Sequence, residues 1–230
     1  MLGIIGAMEN EIEQLCGMMP EVTVKTVAGM KFHGGKIKGK DVVVVRSGVG
    51  KVNAAVCSQI LVDHYHVEGI LNTGIAGSLN EEINIGDIVL SVDAVQHDVD
   101  ALSFGYELGQ IPQMDTKAFK ADERLLQIGL ECCQQANPDI RTFSGRIVSG
   151  DQFIGGGEKK KWLRETFQGD CTEMEGAAIA QAAYLNQVPF LIVRAISDKA
   201  DDSVAVDYKT FEAAAIRHAV RLVEAMLEKL

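Results

Sequence analysis

The chain has 230 residues, 47% of them hydrophobic, which suits one compact α/β domain over residues 1–230 with a sizeable core. Lys and Arg number 22 and Asp and Glu 32, so the net charge is −10, the wrong sign for holding nucleic acid or anionic lipid by bulk charge. No apolar run reaches the roughly 18 residues of a membrane span, and Met1–Gly6 lacks the basic and apolar regions of a secretory signal, so a cytoplasmic location is expected.

Short apolar runs alternate with amphipathic stretches. Leu2–Ile5 predicts a strand and Glu9–Met18 a helix. Val42–Arg46 predicts a buried strand, and Gly50–Tyr65 a helix with Val52, Ala55, Val56, Ile60 and Leu61 at helical spacing. Gly69–Asn72 and Asp87–Val95 predict strands, Asp122–Gln135 a helix, Arg141–Ser149 a strand and Lys159–Phe167 a helix. The Ala-rich Glu175–Tyr184 predicts a helix, Pro189–Ser197 an apolar strand, and Tyr208–Leu230 a long final helix. Such alternation implies βαβ units and a mainly parallel sheet flanked by helices. The long connections Gln96–Ala121 and Gly150–Glu158 are candidate functional loops. Ligands of open α/β sheets bind beyond the carboxyl ends of strands, so the segments after each strand are the ones to search.

Several motifs fail there. Gly48-Val49-Gly50-Lys51 resembles the tail of a phosphate loop, but Val45 and Val52 stand where Gly and Ser or Thr are required, and Asn53 replaces the third Gly of a dinucleotide fingerprint. His97-Asp98-Val99-Asp100 reads better as polar loop or interface than as a metal cluster. The five cysteines lack C-x-x-C spacing, so neither a disulfide framework nor a zinc site is expected. What remains is acids at three strand ends: Glu9 and Glu11, Glu173 and Glu175, and Asp198. Complementing a helix dipole is the competing reading for Glu9 and Glu11. It explains one acid of the second pair better than two, and it is weakest for Asp198. An acid, a base and a sugar-hydroxyl acceptor are the equipment of glycosyl hydrolysis.

Six segments carry a resemblance: G-I-I-G-A-M-E-x-E from Gly3, S-G-V-G-K-V-N-A-A from Ser47, N-T-G-I-A-G from Asn72, I-V-S-G-D-Q-F-I from Ile147, E-M-E-G-A-A-I-A from Glu173 and V-R-A-I-S-D from Val193. In this order they resemble the 5′-methylthioadenosine/S-adenosylhomocysteine nucleosidases of the wider nucleoside phosphorylase/nucleosidase family. The resemblance implies a three-layer α/β/α fold around a twisted mixed β-sheet, a homodimer, no metal and no organic cofactor. The implied reaction is hydrolysis of the adenine–ribose bond of these nucleosides, and of 5′-deoxyadenosine, releasing adenine in methionine salvage and methyl-cycle recycling.

By position, Glu11 resembles the base that activates water and Asp198 the acid at adenine N7. Glu175 resembles the carboxylate that grips the ribose hydroxyls, with Met174 against the sugar. Ile154 resembles the residue whose backbone meets the adenine edge, and Phe153 the ring stacked on the base. Gly77 is expected in a turn on the ribose and water side, and Ser197 and Arg194 as supports for Asp198 and the water site. Met8, Val49, Tyr208 and Phe211 resemble the apolar lining of the 5′-alkylthio pocket. Phe104 and Pro112 resemble residues supplied by the partner subunit. Ile75 and Tyr208 depart from the common Ser and Phe. A phosphorolytic relative, a 6-amino-6-deoxyfutalosine nucleosidase and a non-catalytic nucleoside sensor are the competing readings. The acidic N-terminal loop disfavours the first, because Glu9 and Glu11 would repel phosphate.

Overall fold

The computed structural model describes residues 1–201 and 204–230. The chain runs through β1 (Leu2–Gly6), α1 (Glu9–Gly17), β2 (Val22–Val27), β3 (Met30–Ile37), β4 (Lys40–Arg46), α2 (Lys51–Tyr65) and β5 (Gly69–Ser78). It continues with β6 (Ile88–Gln96), β7 (Phe119–Lys120), α3 (Glu123–Ala136), β8 (Thr142–Ser149) and α4 (Gly157–Phe167). β9 (Cys171–Glu173), α5 (Gly176–Leu185), β10 (Phe190–Asp198) and α6 (Val204–Lys229) complete it.

The strands form one mixed sheet. β2, β3, β4, β1 and β5 lie side by side in that order, with β1 parallel to both β4 and β5. Beyond β5 the sheet closes on itself. β5 pairs with β10 on one side and β9 on the other, and β10–β6–β8–β9 completes the ring. α2 packs on α5 over one face, while α1 and α3 pack on α6, which covers β10 and β5 on the other. The expected three layers are present, with part of the sheet rolled closed rather than open.

Burial follows from the sequence pattern. Val42–Val45 are fully buried, as a strand covered on both faces requires, and every residue of β5 and β10 is buried. α3 starts at Asp122, whose side chain accepts the Leu125 N–H at 2.9 Å. α6 turns Ala215, Ile216, Ala219, Val220 and Val223 inward, one stripe at helical spacing.

Four strands are not expected from the apolar runs. β2 and β3 form a hairpin whose turn residues, Ala28 and Gly29, both have positive φ, 49° and 76°. β2 is the sheet edge and is almost wholly exposed, so it carries no core pattern to read. β7 has 2 residues and β9 has 3, shorter than any pattern window. Gly77 lies inside β5 rather than in a turn, because β5 runs through the whole N-T-G-I-A-G segment. α6 begins at Val204, ahead of the expected Tyr208.

Candidate active site

The ends of β1, β5, β9 and β10 converge on a cleft of about 170 Å³. Met8, Glu11, Val49, Gly77, Phe153 and Ile154 line it, with Met174, Glu175, Ser197, Asp198 and Tyr208. Ala7, Ile75, Ala76, Gln152, Thr172 and Glu173 complete the wall.

Glu11 enters from the first turn of α1. It is 4% exposed. Its Oε2 accepts the Ala7 and Met8 N–H groups at 2.7 and 2.9 Å, and its Oε1 accepts the Ile75 N–H at 3.2 Å. The bond from Met8 is the returning half of a capping box, so Glu11 caps α1 and faces the cleft at once. Burial pushes its pKa up, and the Arg194 guanidinium and the three N–H groups oppose that rise. A Cβ at Gly74 would stand 2.5 Å from Glu11 Oε1, so only glycine lets this carboxylate lie on β5.

Asp198 ends β10. Ser197 Oγ donates to its Oδ2 at 2.8 Å and the Ala200 N–H to its Oδ1 at 2.8 Å. Burial raises its pKa, and these two donors only partly offset it. A Cβ at Gly77 would meet Asp198 Oδ1 at 2.7 Å, which explains the glycine at that strand position. Ser197 thus fixes one oxygen of Asp198 and the Ala200 N–H the other.

Arg194 donates from Nε and Nη2 to Glu173 Oε2, and from Nη2 also to Asn72 Oδ1. It lies beneath the cleft wall, between Glu173 and the charge of Glu11. Glu173 also accepts Ser149 Oγ and the Gly176 N–H, so it fixes the start of α5. This places Met174 and Glu175 in the cleft. Sequence reasoning left Glu173 without a role. The signal was Arg194 inside the most apolar strand, since a buried guanidinium requires a buried acid.

Glu175 Oε1 accepts the Gly50 N–H at 2.8 Å. Burial first, then the neighbouring Glu173 charge, raise its pKa to about 7. Gly50 has φ +98°, a conformation that favours glycine, so the glycine of the failed phosphate loop serves this contact instead. Lys51 is structural too: its Nζ binds Asp98 Oδ1 at 2.6 Å and Gln96 Oε1 at 2.9 Å, clamping the start of the long loop.

Tyr208 meets the Phe153 ring edge-on at 5.9 Å between centroids. Phe211, expected in the lining, is not among the cleft residues and is 39% exposed. Phe104 and Pro112 are exposed and away from this chain's cleft. Among the described residues, no group of three or more His, Cys, Asp or Glu could hold a metal, and no helix is long and apolar enough to cross a membrane.

The phosphorylase superfamily model matches residues 1–228. The 5′-methylthioadenosine/S-adenosylhomocysteine nucleosidase of Staphylococcus haemolyticus is 39% identical over the full length of both chains. The crystal structure of a 5′-methylthioadenosine/S-adenosylhomocysteine nucleosidase from Colwellia psychrerythraea, in complex with adenine, superposes with a TM-score of 0.96 at 37% identity, covering 100% of this chain and 95% of that one. The futalosine hydrolase of Helicobacter pylori is also similar, with a TM-score of 0.94 at 30% identity, covering 100% and 97%.

Proposed function

Because the chain belongs to the phosphorylase superfamily and, within it, to the 5′-methylthioadenosine/S-adenosylhomocysteine nucleosidases, we propose that it hydrolyses the N-glycosidic bond of these two nucleosides and releases adenine. The observation that carries the reading is the arrangement of Glu11, Glu175 and Asp198 around one cleft, each with its pKa raised by burial.

Adenine leaves poorly as an anion. Asp198, whose raised pKa helps it hold a proton, donates to N7 as the glycosidic bond breaks. The sugar becomes oxocarbenium-like, and the nearby carboxylates stabilise that charge. Glu11 takes the proton of the attacking water; burial strengthens it as a base, while Arg194 keeps it ionisable. Glu175 accepts the ribose hydroxyls, Met174 packs on the sugar, and Phe153 and Ile154 hold the base. Met8, Val49 and Tyr208 form the slot for the thioether. No basic side chain is among the described residues lining the cleft, so water suits it better than phosphate as the nucleophile. The nucleosidase of Staphylococcus haemolyticus, 39% identical over the whole chain, supports methylthioadenosine as a substrate.

The proposed assembly is a homodimer. Val52 and Phe104 are 74% and 84% exposed, and Val56, Leu102 and Leu185 are exposed as well. They lie on α2, on α5 and on the loop that Lys51 clamps to α2. Apolar exposure on that scale fits an interface, and it supports Phe104 and Pro112 as residues that complete a partner's cleft.

Adenine release from methylthioadenosine, measured with and without phosphate, tests the activity. Release independent of phosphate is expected. Release that requires phosphate would make the enzyme phosphorolytic, and binding without release would make it a sensor.

A further inference from the structure

The thioether end of the cleft is apolar except at Tyr208. The Tyr208 hydroxyl lies 3.5 Å from Met8 Sδ and donates to Glu212 Oε1 at 3.2 Å, one turn further along α6. Asn10 Nδ2, from α1, donates to the same oxygen at 2.8 Å. Glu212 is thus held at the cleft rim by donors from two helices. Among the described residues, no Lys, Arg or His pairs with it, and its Oε2 has no hydrogen-bond partner. Tyr208 also senses the charges of Glu11 and Asp198, so its hydroxyl sits within the field of the catalytic carboxylates. A carboxylate fixed by neutral donors, with one oxygen unused and no cation beside it, matches a positively charged ligand group.

S-Adenosylhomocysteine carries such a group, an ammonium on the third carbon beyond its sulfur, whereas methylthioadenosine ends at a methyl. Resting on the hydrolytic reading above, we propose that Glu212, positioned by Tyr208 and Asn10, binds a cationic amine on the 5′ substituent. It sets a preference for aminoalkylthio tails over uncharged and anionic tails of the same length. The role is one of specificity, because Glu212 is outside the group of residues that faces the sugar and base.

The test uses two isosteric probes, 5′-(3-aminopropylthio)adenosine and 5′-butylthioadenosine, which differ by one charge. In the wild type, kcat/KM for the amine should exceed that for the butyl compound about three- to tenfold, through KM, and the ratio should shrink as salt is added. In Glu212→Gln the ratio should fall close to one. Tyr208→Phe, which releases the carboxylate, should give a ratio between the two. The butyl compound reports in Glu212→Gln that the site is intact. Equal kcat/KM for the probes in the wild type, or an unchanged ratio in Glu212→Gln, would overturn the assignment while leaving nucleoside hydrolysis in place. Failure of the wild type to hydrolyse either probe or methylthioadenosine would overturn the hydrolytic reading and this assignment together.

Discussion

Arg194 and Glu173 form an ion pair with side chains 2% and 4% exposed, directly beneath the residues that face the cleft. A pair this deep gains less from its attraction than it loses when one partner is removed. Arg194→Met should therefore destabilise the protein by about 3–5 kcal/mol, because it leaves the Glu173 carboxylate buried without a cation. Adding Glu173→Gln should recover more than half of that loss. Denaturant unfolding of the single and double variants measures the coupling. Additive losses would show that the two residues act independently.

Glu175 gives a pH-dependent prediction. Its pKa is raised in the folded state to about 7, from an ordinary 4.5. Its contribution to stability is thus fully present below about pH 4.5 and is lost as pH rises through about 7. Glu175→Gln removes the buried charge and keeps an acceptor for the Gly50 N–H. The variant should be more stable than wild type at pH 8 by about 1–3 kcal/mol, with the difference vanishing near pH 4.5. Its turnover should fall. Melting temperatures across that pH range check the sign, and a gain of stability at low pH only would contradict it.

Glu11→Gln keeps the size and one acceptor but cannot take a proton from water. Turnover of methylthioadenosine should fall about 10²–10⁴-fold, with adenine affinity close to normal. A variant within a few-fold of wild type would remove Glu11 from the role of base.

The homodimer is tested at α2. Val52→Arg puts a charge on the exposed apolar face and should give a monomer at micromolar concentration by light scattering. Activity should fall about tenfold or more as Phe104 and Pro112 leave the partner's cleft. A fully active monomer would contradict the assembly.

The legible parts of the chain were those where burial leaves a strong pattern. The valines of β4 and the apolar β10 are buried, as their unbroken runs predict. β2 was illegible because an exposed edge strand need not be apolar, and β9 because 3 residues cannot show a period. At the site, Glu11, Glu175 and Asp198 were legible as acids after strands, and the cleft brings them together. Sheet closure was not legible, since β5 gains both β9 and β10 as neighbours through pairing across the whole chain. The partner of Arg194 was not legible for a related reason: its spacing from Asp198 is local, while Glu173 comes from another strand.

The central claim is that Asp198 protonates the leaving base. Asp198→Asn retains the size and part of the hydrogen bonding of the carboxylate but has no proton to give. The most direct measurement compares turnover of this variant and wild type on two substrates: methylthioadenosine, and a 5-methylthioribosyl p-nitrophenolate whose leaving group departs without protonation. The account predicts a loss of about 10²–10⁴-fold for methylthioadenosine and a much smaller one for the nitrophenolate. Equal losses on both substrates would contradict it and leave Asp198 as a positioning or electrostatic group.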